Sequence, residues 1–292
     1  MVAYKEATAQ AVPNSTGTNP PRTKAPVNAA DCHIHIYDPR FEPRVDRVTN
    51  ATMSDYRLLQ KRLGLSRVVI VQPRNYGVDN SATLNAIQQL GIDHARGVGV
   101  LRPDVSEDQL DRLHAGGIRG IRFTVGDPAT AVVSVDMIEP LARRIARLGW
   151  HIQLNMPVDK IVANATLLSG LPTQIVFDHL GHVPTTDHPA WSVIMGLVQK
   201  ARAWVKISGA YMNSEIGPPD YPEATRIAQA YVKAAPERCV WGSDWPHPGP
   251  KVKPDDSILF DLLAVWAPDE ATRNRILVAN PETLYGFPKT AP

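Results

Sequence analysis

With 292 residues, 43% of them hydrophobic and 21% charged, the chain can bury a sizeable core as one large domain or two small ones. A formal charge of +2 argues against a nucleic-acid surface, and no run approaches the roughly 18 apolar residues needed to cross a membrane. Its two cysteines, Cys32 and Cys239, sit inside apolar runs, which excludes a disulfide framework and fits a reduced, cytoplasmic protein.

Residues 1–28 are rich in Pro, Thr, Asn and Ala and lack the apolar stretch of a secretory signal. They read as an extended or partly disordered arm, with a single domain over 29–292. Eight short apolar runs follow, at 29–36, 67–71, 95–101, 117–123, 150–154, 174–178, 204–208 and 239–243. Their Val and Ile content suits buried parallel strands. Helical segments fall between them. Ser54, Ser81, Ser106 and Ser134 precede segments 55–63, 82–90, 107–115 and 135–148, and glycines follow each. Segments 189–203, 222–234 and 269–279 begin with Pro or Asp, which suits a first helical turn. Eight βα units with no second core predict one (β/α)8 barrel, with the site at the C-terminal ends of the strands. An open doubly wound sheet is disfavoured, because no Gly-x-Gly-x-x-Gly follows the first strand. The Arg143-Arg144-x-x-Arg147 run reads as a solvated helix face.

Polar residues gather at these strand ends. The first ends in Asp31-Cys32-His33-Ile34-His35, and its two imidazoles project to the same side. The second runs into Arg74, the fourth ends at Arg122, and the fifth at Gln153-Leu154-Asn155. The sixth ends Asp178-His179, the seventh precedes Tyr211, and the eighth ends in Gly242-Ser243-Asp244-Trp245-Pro246-His247. Three histidines and an aspartate from three strand ends make the candidate catalytic set His33, His35, His179 and Asp244. A buried cation needs an anionic partner or ligand, so Arg122, helped by Arg74, is expected to bind a substrate carboxylate. Gln153, Asn155, Tyr211 and His247 complete the expected substrate-binding set. Asp178 adjoins His179 and is expected to face away from it, orienting a neighbour or bonding backbone.

The order and spacing of His33-x-His35, His179 and the Gly-Ser-Asp-Trp-Pro-His segment resemble the amidohydrolase superfamily. So does the ending Asn280-Pro281-Glu282-Thr283-Leu284-Tyr285. The similarity runs from about Ala29 onward. Many members hold one or two divalent ions with the His-x-His pair, a strand-four carboxylated lysine, histidines of strands five and six, and the strand-eight Asp. Here Arg122 stands where that lysine would be, and Gln153 and Asn155 where the strand-five histidine would be. The resemblance is therefore to the metal-independent, lactone-processing branch, which implies no metal and no cofactor. It implies a small sugar-acid lactone as substrate. The reaction would be isomerisation of D-galactaro-1,5-lactone to the 1,4-lactone by intramolecular acyl transfer. Asp244 would be the general base, and the three histidines would stabilise the carbonyl oxyanion. Hydrolysis of a lactone such as a pyrone dicarboxylate is the first alternative, and a mononuclear metal-dependent hydrolase or decarboxylase the second. A non-enzymatic sugar-acid binder is the third. The oligomeric state is not legible.

Overall fold

The computed structural model describes residues 11–43, 49–126 and 131–290. Eight parallel strands form the sheet among these residues, in the order β1 to β8. They are β1 (Ala30–Ile34), β2 (Arg67–Val71), β3 (Ala95–Gly99), β4 (Ile118–Thr124), β5 (His151–Asn155), β6 (Ile175–Phe177), β7 (Ala203–Ile207) and β8 (Cys239–Trp241). The eighth strand comes back to the first through a bridge between Ile34 and Trp245. Asp244 N donates to His33 O and His35 N to Trp245 O, each at 2.8 Å. The expected (β/α)8 barrel is therefore the observed fold.

The helices are α1 (Met53–Leu63), α2 (Ser81–Leu90), α3 (Glu107–Ala115), α4 (Ile138–Ile145), α5 (Val158–Ala163), α6 (Ala165–Gly170), α7 (Pro189–Gln199), α8 (Pro222–Ala234), α9 (Asp256–Trp266), α10 (Glu270–Asn274) and α11 (Asn280–Tyr285). Ser106 caps α3 in a full capping box with Gln109, as its position predicts. At α1 the cap is Thr52 rather than Ser54, because Thr52 and Asp55 bond each other's backbone N–H groups. Segment 189–203 ends as a helix at Gln199, since Ala201 takes a left-handed φ of 56° ahead of β7. Helices α5, α6, α9 and α11 lie where no helix was expected. Arg144 and Arg147 meet Glu107 on the exposed flank, so that basic run is a solvated helix face, and such pairs contribute little. No helix among the described residues is long and apolar enough to cross a membrane.

The C-terminal segment plugs the N-terminal mouth of the barrel. Asn280 Nδ2 donates to Cys239 O and Pro236 O, both at 2.7 Å. Arg67 pairs with Glu282 at 2.9 Å, and both Arg67 and Arg96 lie over the Phe287 ring. The same ending that resembles the family by sequence thus closes the floor of the fold. Above it the His151 ring packs edge-on against Tyr285 at 5.4 Å. A Cβ at Gly120 would come within 2.4 Å of that ring. Tyr285 blocks the ring's retreat, so Gly120→Ala is expected to lower stability by about 1–3 kcal/mol, read from the urea midpoint.

Within the expected 1–28 arm, residues 1–10 lie outside the described residues. The remainder runs against the C-terminal half of the barrel. Trp245 Nε1 donates to Pro13 O at 2.8 Å, Thr16 N to Pro254 O at 3.0 Å, and Thr23 N to Asp261 at 2.7 Å. Cys32 and Cys239 are buried and unbridged, and burial pushes both thiols up.

Candidate active site

The site begins with an irregularity in β1. Its register against β2 shifts between Asp31 and Ile34. Asp31, fully buried, anchors that shift by accepting from His33 N, Ser243 N, Ser243 Oγ and Tyr56 OH. Burial pushes its carboxyl up to about 6 despite these bonds. Across the seam, a Cβ at Gly242 would sit 2.6 Å from His33 Cβ, so only glycine lets β8 pass this close. His179 and Asp244 sit just beyond their strands with left-handed φ of 49° and 67°. Backbone of this kind persists only where its surroundings enforce it, and it clusters at functional sites.

These four side chains converge. His33 Nε2 lies 3.3 Å from His35 Nε2. Asp244 Oδ1 lies 3.4 Å from His33 Nε2, 3.5 Å from His35 Nε2 and 3.8 Å from His179 Nε2. The far side of each ring is held. His35 Nδ1 meets Val71 O at 2.8 Å and His179 Nδ1 meets Ser208 Oγ at 3.0 Å. Tyr211 OH donates to Asp244 Oδ2. Burial, then the Lys206 cation, pushes His33 well below its usual value, and burial brings His179 down to about 4. Burial alone would raise Asp244, but the surrounding imidazoles overcome it and hold the carboxyl well below the carboxylate range. The cluster thus sets an ionised carboxylate against two imidazoles, His33 and His179, that burial keeps neutral.

Asp178 lies one layer deeper. Its Oδ2 accepts from Arg122 Nε at 2.9 Å and Gln153 Nε2 at 3.2 Å, while Oδ1 is 3.3 Å from His33 Nδ1 and 3.7 Å from Lys206 Nζ. It orients neighbours, as expected, but into the barrel rather than away from the site. His33, Arg122 and Lys206 overcome the cost of its burial and keep it ionised.

A cavity of about 320 Å³ opens above the cluster, and His35, His179, Asp244, Arg122, Arg74 and Asn155 are on its wall. A side chamber of about 50 Å³ branches between Arg74 and Arg122. A larger groove of about 500 Å³ lies on the flank between α2 and α3, and no member of the cluster lines it.

Two expected substrate contacts need correction. Gln153 is fully buried and bonded to Asp178, one layer below the cavity that Asn155 reaches. His247 is also fully buried, with Nε2 3.1 Å from both oxygens of Asp256 on α9 and its ring edge-on to Tyr211. Tyr211 is directed at Asp244. Sequence reasoning missed His182, which pairs with Asn155 at 2.8 Å on the wall, and Lys206. A lysine in the middle of an apolar parallel strand was the available signal for the second.

The donor set bears on metal binding. Three edges of 3.3–3.5 Å among His33, His35 and Asp244 are those of ligands about 2.0–2.1 Å from one tetrahedral ion. His35 and Asp244 each aim a lone pair inward once their outer partners are counted, while the Ser208 hydroxyl can either donate to or accept from His179 Nδ1. The Arg122 charge nearby is offset by Asp178. The residues therefore fit one divalent ion. They offer no carboxylated lysine for a second.

Known proteins resemble the chain over most of its length. A 4-sulfomuconolactone hydrolase of Rhizobium radiobacter is 33% identical over 89% of this chain and 91% of its own. A D-galactarolactone isomerase of Agrobacterium fabrum is 29% identical over 91% of this chain and 93% of its own. A ligand-free crystal structure of an Agrobacterium tumefaciens protein superposes with a TM-score of 0.84 at 29% identity, covering 92% of this chain and all of the other. The amidohydrolase family profile matches residues 30–287, nearly the whole barrel, and the chain belongs to that family.

Proposed function

We propose that this protein catalyses acyl transfer at the ring carbonyl of a lactone that carries an anionic substituent. One observation carries the reading: three imidazole Nε2 atoms and Asp244 Oδ1 meet at the base of a cavity whose wall holds Arg74 and Arg122. Guanidinium groups suit a carboxylate or sulfonate by charge and by their forked donors. The two relatives named above are lactone enzymes by name, one a hydrolase and one an isomerase.

In this reading Asp244 takes the proton of the attacking hydroxyl as that oxygen bonds the lactone carbon. His179, on the cavity wall with its Nδ1 against the Ser208 hydroxyl, is the imidazole able to donate to the carbonyl oxygen as it gains charge, and one such preorganised donor is worth about 3–4 kcal/mol in comparable sites. The ring C–O bond then breaks, and Asp244 returns the proton to the departing oxygen. A divalent ion held by His33, His35, His179 and Asp244 would polarise the same carbonyl when bound.

The nucleophile decides the product. Water gives the ring-opened acid, and this is the better supported outcome. Gln153, His247 and Tyr211, which would have read a hydroxyl-rich substrate, are engaged by Asp178, Asp256 and Asp244. Intramolecular attack, converting D-galactaro-1,5-lactone to its 1,4-isomer, is the second reading. The Asn155–His182 pair on the cavity wall favours it, since both can hold substrate hydroxyls.

NMR of the chelator-treated enzyme, with and without added zinc, tests both on D-galactaro-1,5-lactone and a carboxylated muconolactone. Ring-opened acid as the first product supports hydrolysis, and 1,4-lactone ahead of diacid supports isomerisation. Inertness toward both substrates in every condition would overturn the acyl-transfer reading. Arg74→Met is expected to raise KM about 10- to 100-fold with kcat within a few-fold, the scale of one lost charged hydrogen bond. Steady-state kinetics checks it, and an unchanged KM would remove Arg74 from the anion site.

A further inference from the structure

The catalytic cavity does not end at the Asn155–His182 pair. A lobe of about 420 Å³ continues beyond it, and Thr124, Asn155 and His182 line both spaces. Past the pair the side chains on the wall are those of Val125, Pro157 and Val158. No arginine, lysine or carboxylate lines the lobe among the described residues.

The strand ends give this space a fixed frame. Thr124 and Asn155 are partners in the β4–β5 register, and Val125 N donates to Asn155 O at 2.9 Å just past the strands. Pro157 then leads the chain into α5, whose first residue is Val158. His182 Nε2 and Asn155 Oδ1 meet at 2.8 Å. Those two facing atoms are already paired, so a hydrocarbon group passing them leaves neither without a partner.

Strand order gives a ligand its direction. The reactive cluster draws on the ends of β1, β6 and β8, while Arg74 follows β2 and Arg122 lies on β4. A lactone held by both has its remaining ring edge toward β5, where the lobe opens. Pockets of about 300 Å³ already take drug-sized ligands. The main cavity of about 320 Å³ therefore contains a carboxylated lactone ring by itself, and the lobe is room for a further arm. Burying carbon against valine and proline is favourable, whereas burying a second charge there without a partner is costly.

We propose that this lobe is an apolar subsite of the active site, so that the ligand is a lactone with one anionic group at Arg74 and Arg122 and one uncharged alkyl or aryl arm against Val125, Pro157 and Val158. The lactone identity rests on the acyl-transfer reading; the apolar arm does not.

Steady-state kinetics on paraconate, a lactone with one carboxylate, and on its derivatives with a phenyl or a carboxymethyl group beside the ring oxygen tests the arm. The phenyl derivative is expected to show kcat/KM about 10- to 100-fold above paraconate, carried by KM, the scale of a partly buried ring. The carboxymethyl derivative should show no gain. In Val158→Asp the phenyl advantage should vanish, because a carboxylate then faces the arm. An acidic residue suits a first helical turn. If Val158→Asp nevertheless does not fold, Pro157→Asp sets the same charge at a favourable N-cap. The corresponding cyclic ethers, tetrahydrofuran carboxylate with and without the phenyl group, have no carbonyl to attack, so calorimetry with them reads the subsite without turnover. The phenyl ether should bind wild type at least about tenfold tighter than the parent ether, and the variant equally. Equal binding of the two ethers to wild type, no binding of the phenyl ether, or a preference for the carboxymethyl lactone overturns the subsite. So does a phenyl advantage that survives both substitutions. A phenyl preference among the ethers in a protein inert toward every lactone leaves the subsite standing and overturns only the acyl-transfer reading.

Discussion

Replacing Asp244 with asparagine should lower kcat/KM by about 10²- to 10⁴-fold, the range contributed by a positioned general base. The fold should survive. Asn is among the few residues that accept a left-handed φ such as the 67° at this position, and its amide oxygen can still accept from Tyr211. A melting temperature within a few degrees of wild type, with turnover lost, would identify chemistry rather than stability as the casualty. Turnover above a tenth of wild type would rule Asp244 out as the base. Asp244→Ala is the poorer probe, because it adds backbone strain to the chemical loss.

The largest effect on stability is expected one layer down, at Asp178. Asp178→Ala leaves Arg122 and Lys206 buried without their shared counter-ion. Removing one partner of a buried pair commonly costs about 3–5 kcal/mol. Urea unfolding should show a loss of that size, much greater than for any pair on the Glu107 flank. The pH dependence follows from the same contacts. Asp178 and Asp244 are both held well below the ordinary 3.8, so their contribution is complete above that value and is lost as pH falls beneath it. Wild-type stability should therefore decline steeply below about pH 4. Asp178→Asn should flatten that limb, and equal acid slopes in the two proteins would show that the carboxylate is not the source.

How far the sequence discloses this molecule depends on what kind of information alternation carries. Apolar runs located all eight strands, and the polar residues at their ends were enough to bring His33, His35, His179 and Asp244 together. Parity placed His33 and His35 on one side but misled at Asp178, because His179 beyond it takes a left-handed φ. Parity is silent on height. Gln153 and Asn155 project to the same side of β5, but one meets Asp178 in the interior and the other reaches the cavity. His247 follows Asp244 by three residues, and a turn returning its N–H to Asp244 O sends the ring back onto Asp256. The partner, Asp256, begins a helix that escaped notice. Helix α9 buries Leu259, Phe260, Leu262 and Leu263, so it is apolar around most of its circumference and shows little helical period. Lys206 stood in plain view within the seventh run. Its meaning depends on contact with β1, more than 170 positions earlier, and no local pattern reports that.

The seam between β8 and β1 joins segments more than 200 residues apart in the sequence. The bonds that shut the barrel there are made by the backbone of His33, His35, Asp244 and Trp245, and Trp245 is held in turn by Pro13. During synthesis these partners emerge at opposite ends of the work, separated by more than 200 residues. Contacts so distant in sequence are entropically expensive and form late. The final step of folding and the assembly of the reactive cluster are then one event. A chain stalled with its seam open would be inert even with seven strands in place, so a partly folded intermediate has no chemistry to misdirect.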